Sequence, residues 1–278
     1  MAPFFFSVEA DAPTFPAALR HLPTPPAALW ARGRLPATGE RMVAIVGSRA
    51  VSQSACGVAQ RIAAEAVAAG YAVVSGGALG IDAAAHRGAL LVGGVTFAVL
   101  GCGIDVVYPD RHASLFDQIA EMGGLFTEYR PGTEPRPGQF PARNRIVAAL
   151  ADATVVVDAR LPSGALITAQ LARRQGRRVF AVAGSPGCDQ LLATGAASEL
   201  AEGELAGLLA GAAPRPRPVP EALAPLVSVL AAGAAAPIDL ALRLGIPLPA
   251  LLATLAEAEL LGWARRLPGG KFEVLRAN

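Results

Sequence analysis

The sequence predicts an α/β protein built on a doubly wound parallel sheet, and three observations carry that prediction. Apolar runs of strand length recur from Met42 onward, most of them unbroken Val, Ile, Leu and Ala. Such runs belong to strands covered on both faces. Helical stretches separate them at the spacing of right-handed βαβ units. The composition, 53% hydrophobic and 17% charged, is ample for one large core and a small appendage in 278 residues.

Taken in order, residues 1–40 are rich in proline and read as an irregular segment, with one helix candidate at 17–22. The main domain is placed at 41–213. Its strands are expected at 42–46, 71–75, 95–100, 124–127, 154–157 and 178–182. Helices are expected between them at 54–69, 82–91, 112–122, 140–150 and 167–175. Proline at every second position from Pro214 to Pro220 reads as a stiff, extended linker. Residues 221–278 form the last unit, with helices expected at 221–232, 238–244 and 248–261. A Pro268-Gly269-Gly270 turn then separates two short strands. Three helices and a hairpin in this length resemble a winged helix.

Several classes are disfavoured. No apolar stretch reaches the ~20 residues of a membrane helix. The opening Met-Ala-Pro-Phe-Phe-Phe lacks the basic start and long apolar run of a signal peptide. No membrane association and a cytoplasmic setting are therefore expected. Cys56, Cys102 and Cys188 are odd in number and lack metal-binding spacing, which argues against a disulfide framework or a zinc site. The net charge of +2 implies no partner by itself. Between Arg130 and Arg178, however, nine arginines face only Glu134, Asp152 and Asp158. A local excess of this kind attracts phosphate backbones.

Ligands of open parallel sheets meet the loops at the carboxyl ends of the strands. Here the first such loop is Gly47-Ser48-Arg49, ahead of a helix start. Glycine lets a backbone approach a ligand, a helix N-terminus favours an anion, and a guanidinium forks onto phosphate. The next two loops carry Gly76, Gly80 and Asp82, then Gly101 and Gly103. Together they are expected to form a phosphate-binding rim. Asp82 and His86, at i and i+4, could pair as acid and base. The simpler reading puts Asp82 on the exposed N–H groups of the first helical turn, with His86 completing that local network. Neither a GxGxxG nor a Walker A pattern is present, and no cofactor or metal is expected. In Phe140-Pro-Ala-Arg143-Asn144-Arg145, the arginines could take successive phosphates and Phe140 could stack on an unpaired base. Ser163, Gly164 and Thr168 form a further polar loop that opens a helix.

In order, Val-Ala-Ile-Val-Gly-Ser-Arg (43–49), Val-Ser-Gly-Gly-Ala-Leu-Gly-Ile-Asp-Ala-Ala-Ala-His (74–86) and Gly-Cys-Gly-Ile-Asp-Val-Val-Tyr-Pro (101–109) resemble the DNA-processing protein A (DprA/Smf) family. Phe-Pro-Ala-Arg-Asn-Arg-Ile-Val-Ala (140–148), Ser-Gly-Ala-Leu-Ile-Thr-Ala (163–169) and Gly-Ala (195–196) continue the resemblance. Thr14-Phe-Pro-Ala-Ala-Leu-Arg20 with Pro25, Pro26 and Gly33 resembles the family's approach to the domain, about 180 residues in all. It implies an extended Rossmann-like fold, a homodimer, and a role without catalytic turnover. It further implies binding of single-stranded DNA and delivery of that strand to the recombinase RecA during natural transformation. By motif, Gly47, Ser48, Arg49, Phe140, Arg143, Asn144 and Arg145 fall where the family engages the strand.

Three departures from the family pattern stand out. Leu79 replaces an arginine usual before the glycine of the second loop. Ala183-Gly184 stands for Pro-Gly after the sixth strand. The family's N-terminal helical domain has no counterpart in the first 40 residues. Two other functions suit such a fold: a phosphoribohydrolase-like enzyme and a mononucleotide sensor. The enzyme would need a glutamate in its GGxGTxxE pattern, and Ile81-Asp82 stands in that region instead. The C-terminal unit is expected not to hold the DNA, because its third helix has no basic residue and carries Glu257 and Glu259.

Overall fold

A computed structural model describes residues 4–212, 219–261 and 263–274. The chain divides into two compact units, Met1–Cys188 with Leu200–Ala212, and Asp189–Glu199 with Ala213–Asn278. The proline-rich linker lies mostly on 213–218, outside the described residues.

The first unit is built on parallel strands β3 (Met42–Gly47), β4 (Ala72–Ser75), β5 (Thr96–Val99), β6 (Gly124–Thr127), β7 (Ala153–Asp158) and β8 (Arg178–Ala181). They stand in the order β6-β5-β4-β3-β7-β8. Between them run α2 (Gln53–Ala68), α3 (Ile81–Leu91), α4 (Ala113–Met122), α5 (Gln139–Leu150) and α6 (Gly164–Arg174). Side chains alternate across a strand. Val43, Ile45 and Val73 therefore share one face, where they pack on Ala59, Ile62, Ala63 and Ala66 of α2 and on Ile81, Ala85 and Ala89 of α3. Phe116 and Ile119 of α4 pack on Ala98 and Leu125 of the neighbouring strands. The chain then crosses from β6 over the sheet to β7, beyond β3, so that α5 and α6 cover the other face. The winding reverses between β3 and β7, and that reversal opens a crevice at the carboxyl edge.

The N-terminal 40 residues are not the irregular segment the sequence suggested. After β1 (Phe6–Glu9) comes α1 (Ala17–Arg20), within the expected 17–22 span, and then β2 (Ala28–Gly33). The two strands pair antiparallel, and β2 continues antiparallel onto β6, which makes the sheet mixed. Both strands have few β-branched residues and only β1 stands at the sheet edge, so local preference says little about them. Two further helices, α7 (Pro186–Ala193) and α8 (Leu205–Leu209), were also not anticipated.

In the second unit, α9 (Ala224–Ala231), α10 (Pro237–Leu244) and α11 (Leu248–Leu260) precede an antiparallel hairpin of β10 (Ala264–Arg266) and β11 (Phe272–Val274). Leu226, Leu230, Leu240, Leu251, Leu255, Trp263 and Phe272 close its core. A two-residue strand, β9 (Ser198–Glu199), belongs to the segment grouped with this unit. Among the described residues no single helix is long and apolar enough to cross a membrane.

Candidate functional site

The reversal point holds a cleft of about 780 Å³, lined from the ends of β3, β4 and β7 and the first turns of α5 and α6. Gly47, Ser48, Arg49, Phe140, Arg143, Asn144, Ser163, Gly164 and Thr168 all line it, as do Gly76 and Asp82 of the expected rim. Arg145, Gly80, Gly101 and Gly103 do not. Tyr108 and Arg160, which the sequence reading did not single out, do.

The β3 end is anchored across the reversal. Ser48 donates its backbone N–H to the Asp158 carbonyl at 2.9 Å, and a bulge between Val46 and Gly47 shifts the register so that Gly47 lies opposite Asp158. This turn exposes Arg49, whose guanidinium carbon lies 5.1 Å from the centre of the Phe140 ring. Tyr108 packs on the same ring with centroids 5.4 Å apart. Gly101 makes room for this stack, since a Cβ there would come within 2.7 Å of Phe140 Cδ1. That is a structural use of Gly101 the sequence did not reveal. Gly103 likewise spends its N–H on the Thr133 carbonyl at 2.8 Å. Gly80 caps the start of α3.

The two arginines expected on successive phosphates are engaged elsewhere. Arg143 is 3% exposed. Its guanidinium donates to the Gly76 carbonyl at 2.6 Å and to the Val99 carbonyl, which ties the β4 and β5 ends to α5. Burial lowers its pKa to about 10, against the pull of Asp82. Asp82 accepts backbone N–H bonds from Gly76 (3.1 Å) and Ala78 (3.4 Å). Burial raises its pKa, while Arg143 and the two N–H groups act the other way. A Cβ at Gly76 would lie 2.4 Å from an Arg143 nitrogen and 2.6 Å from the Asp82 carboxylate, so only glycine fits between them. Arg145 forms a two-pronged ion pair with Glu128, at 2.5 and 2.6 Å, and reaches the Thr24 carbonyl. It braces α5 against β6 and the N-terminal segment.

Asp82 and His86 do not complete one network. The buried His86 places Nδ1 2.7 Å from the Thr96 hydroxyl, which itself donates to the Val73 carbonyl at 3.0 Å. The hydroxyl must therefore accept from His86, which fixes the neutral tautomer with Nδ1–H. Burial, then the nearby His112 and Arg143, lower the His86 pKa to about 3. The α6 loop is likewise partly spent on itself. Ser163 Oγ caps Ala165 N–H at 3.1 Å, Thr168 donates to the Gly164 carbonyl at 3.3 Å, and Asn144 donates to the same carbonyl at 3.2 Å.

The nine-arginine excess also divides in space. Arg160 follows the carboxyl end of β7, whereas Arg178 opens β8 opposite Ala153. At ~3.3 Å per residue, those positions are about 20 Å apart along the sheet. Arg177 and Arg178 bond the carbonyls of Ala149, Leu208 and Leu209 at the amino edge. The cleft itself is lined by Arg49, Arg143 and Arg160.

A mostly parallel doubly wound sheet, with a cleft at its reversal lined by arginine, aromatic rings and strand-end backbone, defines a Rossmann-like α/β protein. The chain belongs to the DNA recombination-mediator protein A family, whose model matches residues 7–208. A DprA relative from Mycobacterium tuberculosis is 43% identical, over 91% of this chain and 70% of its own. The crystal structure of DprA from Streptococcus pneumoniae is similar with a TM-score of 0.69 and 37% identity, covering 74% of each chain. DNA processing protein A from Helicobacter pylori, whose structure was described for its single-stranded DNA binding mode, matches with a TM-score of 0.66 and 30% identity. It covers 74% of this chain and 95% of the other.

Proposed function

We propose that this chain binds single-stranded DNA in the carboxyl-edge cleft and, as a recombination mediator, hands the strand to a RecA recombinase in the cytoplasm. It acts by binding, as a homodimer, without catalytic turnover. The observation that carries this reading is the layered Arg49, Phe140 and Tyr108 at the cleft mouth. Unpaired bases stack on such rings for about 1–3 kcal/mol each, and the same arginine serves the phosphates. Arg160, Asn144 and the Gly47–Ser48 backbone continue the contact surface. Arg143, with Gly76 and Asp82, builds the floor on which these groups stand. The C-terminal elements serve as a winged-helix-like module that does not grip the strand.

Titration of a single-stranded and a duplex oligonucleotide of equal length, at two salt concentrations, tests the reading. The single strand should bind more tightly, with a salt slope of about 0.7 for each phosphate contacted. Equal affinity for both forms overturns it. The delivery step is read separately: RecA should form filaments sooner on a strand precoated with single-strand-binding protein when this chain is present. Release of free base from nucleoside monophosphates would instead mark the enzyme.

A further inference from the structure

The second unit leaves apolar side chains in solvent on consecutive helices. On α10, Ile238 is 55% and Leu242 76% exposed, and on α11 Leu248 and Leu252 are 36% and 47% exposed. The inward side of α10 is complete, with Leu240 and Ala241 buried in the unit's core. Ile238 and Leu242 stand one turn apart, so they form a stripe along the outer face. Each is followed by a charged residue, Asp239 and Arg243, both exposed. These two make a second stripe beside the first, acidic at its start and basic at its end.

That pattern is complementary to itself in one orientation. When two helices meet face to face and antiparallel, like flanks meet. The apolar stripe of one then lies on the apolar stripe of the other, and the charged stripes meet with their directions reversed. Asp239 of each copy then faces Arg243 of the other, twice over, as an isologous two-fold contact requires. A parallel arrangement would not bring these charges into reciprocal pairs. Other occupants suit the face less well. Asp239 and the acidic Glu257 and Glu259 of α11 disfavour a phosphate backbone or an anionic lipid surface.

We infer that α10, with Leu248 and Leu252 of α11, is a contact through which two copies of this chain associate by their C-terminal units. The exposed area is small, below the roughly 1,200 Å² of a standard stable interface, so the contact is weak and fills with concentration. It would let copies held along one strand bridge to one another, and it does not depend on where DNA binds.

The test uses the full chain without DNA, in sedimentation velocity over a concentration series from micromolar upward. The wild type should gain mass with concentration, and Leu242→Glu should lose one association step. Leu242 lies in solvent, so the variant folds, and an unchanged melting curve checks this. Asp239→Arg and Arg243→Asp should each weaken self-association at least tenfold, because like charges then face each other. An equimolar mixture of those two variants should associate again, since each supplies the charge the other lacks. Unchanged association in Leu242→Glu overturns the inference, as does failure of the mixture to recover. A concentration-independent change of shape in Leu242→Glu, with no change of mass, would place the face against the same chain and also overturn it.

Discussion

Two regions of this protein each gather three cations. Arg49, Arg143 and Arg160 line the carboxyl-edge cleft, and Arg265, Arg266 and Lys271 stand on the C-terminal hairpin. Only the first has what a single strand needs. In the cleft, Arg49 lies over an aromatic ring and pairs with no carboxylate among the described residues, beside strand-end backbone kept open by glycine. On the hairpin, the Arg265 guanidinium is paired with Glu273 at 2.5 Å, and the backbone N–H of Arg266 donates to Glu259 at 3.1 Å, which sets a second carboxylate beside these cations. No aromatic ring there is exposed among the described residues, since Trp263 and Phe272 are buried. Cation number therefore does not define a nucleic-acid site. What the cations are already bonded to, and what stands beside them, does.

The comparison breaks most sharply at the cleft floor. Arg143→Ala should leave the Gly76 and Val99 carbonyls without a donor and the buried Asp82 carboxylate without its cation. Removing one partner of a buried charge cluster costs about 3–5 kcal/mol. Urea denaturation should show that loss, and the binding of DNA should fall with it. A loss under about 1 kcal/mol would mean that the floor is not built on this residue.

The next largest effect depends on pH. His86 is held neutral, with its folded-state pKa near 3, while an unfolded histidine titrates near 6.5. Between those values the unfolded chain binds the extra proton. Stability conferred by this group is therefore complete above pH 6.5 and is lost as the pH falls toward 3. From pH 7 to pH 5 the expected loss from this residue is about 2 kcal/mol. His86→Gln should flatten that limb when denaturation midpoints at the two pH values are compared. An equal decline in the variant assigns the acid sensitivity to other groups.

How far all this was legible in the sequence depended on what each residue type reveals. The six parallel strands were readable because both their faces are covered, so an unbroken apolar run is required of them. β1 and β2 were not, being antiparallel additions at one end of the sheet, poor in β-branched residues, whose pairing is a long-range matter. Most residues named for the cleft do line it, because loops after parallel strands converge by topology. The structural bonds of Arg143 and Arg145 were not read from the sequence, although the periodicity held the signal. The buried positions of α5 include 143, 146, 147 and 150, the i, i+3, i+4, i+7 line of one helix face. Arg143 lies on that line, and Arg145, two residues on, cannot share it. Likewise, the excess of arginine between 130 and 178 is a fact about the chain that the strand register divides between two edges. Tyr108 gave no periodic signal, since its place against Phe140 is set by loops distant in sequence.

Arg49 offers a sharper test of what the cleft does. Arg49→Ala should weaken single-strand binding about tenfold, ~1.4 kcal/mol, and lower the salt slope by about 0.7. The melting temperature should not move, because the side chain is exposed and carries no hydrogen bond to the fold among the described residues. Unchanged binding would move the strand away from the cleft mouth.

The smallest effect is expected on the hairpin, and it completes the comparison. From Val219 to Asn278 the sequence has five basic residues and five acidic ones, so the region presents no net field to a phosphate backbone. Its best-placed arginine is already neutralised by Glu273, and α11 carries Glu257 and Glu259 instead of the basic side chains a recognition helix uses. Exposed cations of this kind still draw a polyanion weakly, through the long-range term that salt screens within about 10 Å at 0.1 M. Replacing Arg265, Arg266 and Lys271 together by alanine should therefore change single-strand affinity by less than about threefold, roughly 0.6 kcal/mol. That is three charges removed for less effect than the one at Arg49. Fluorescence anisotropy with the same oligonucleotide, at low and at physiological salt, compares the two variants directly. If the triple variant loses more than the Arg49 variant at both salts, the hairpin carries the strand, and the cations of the cleft are there to hold the fold.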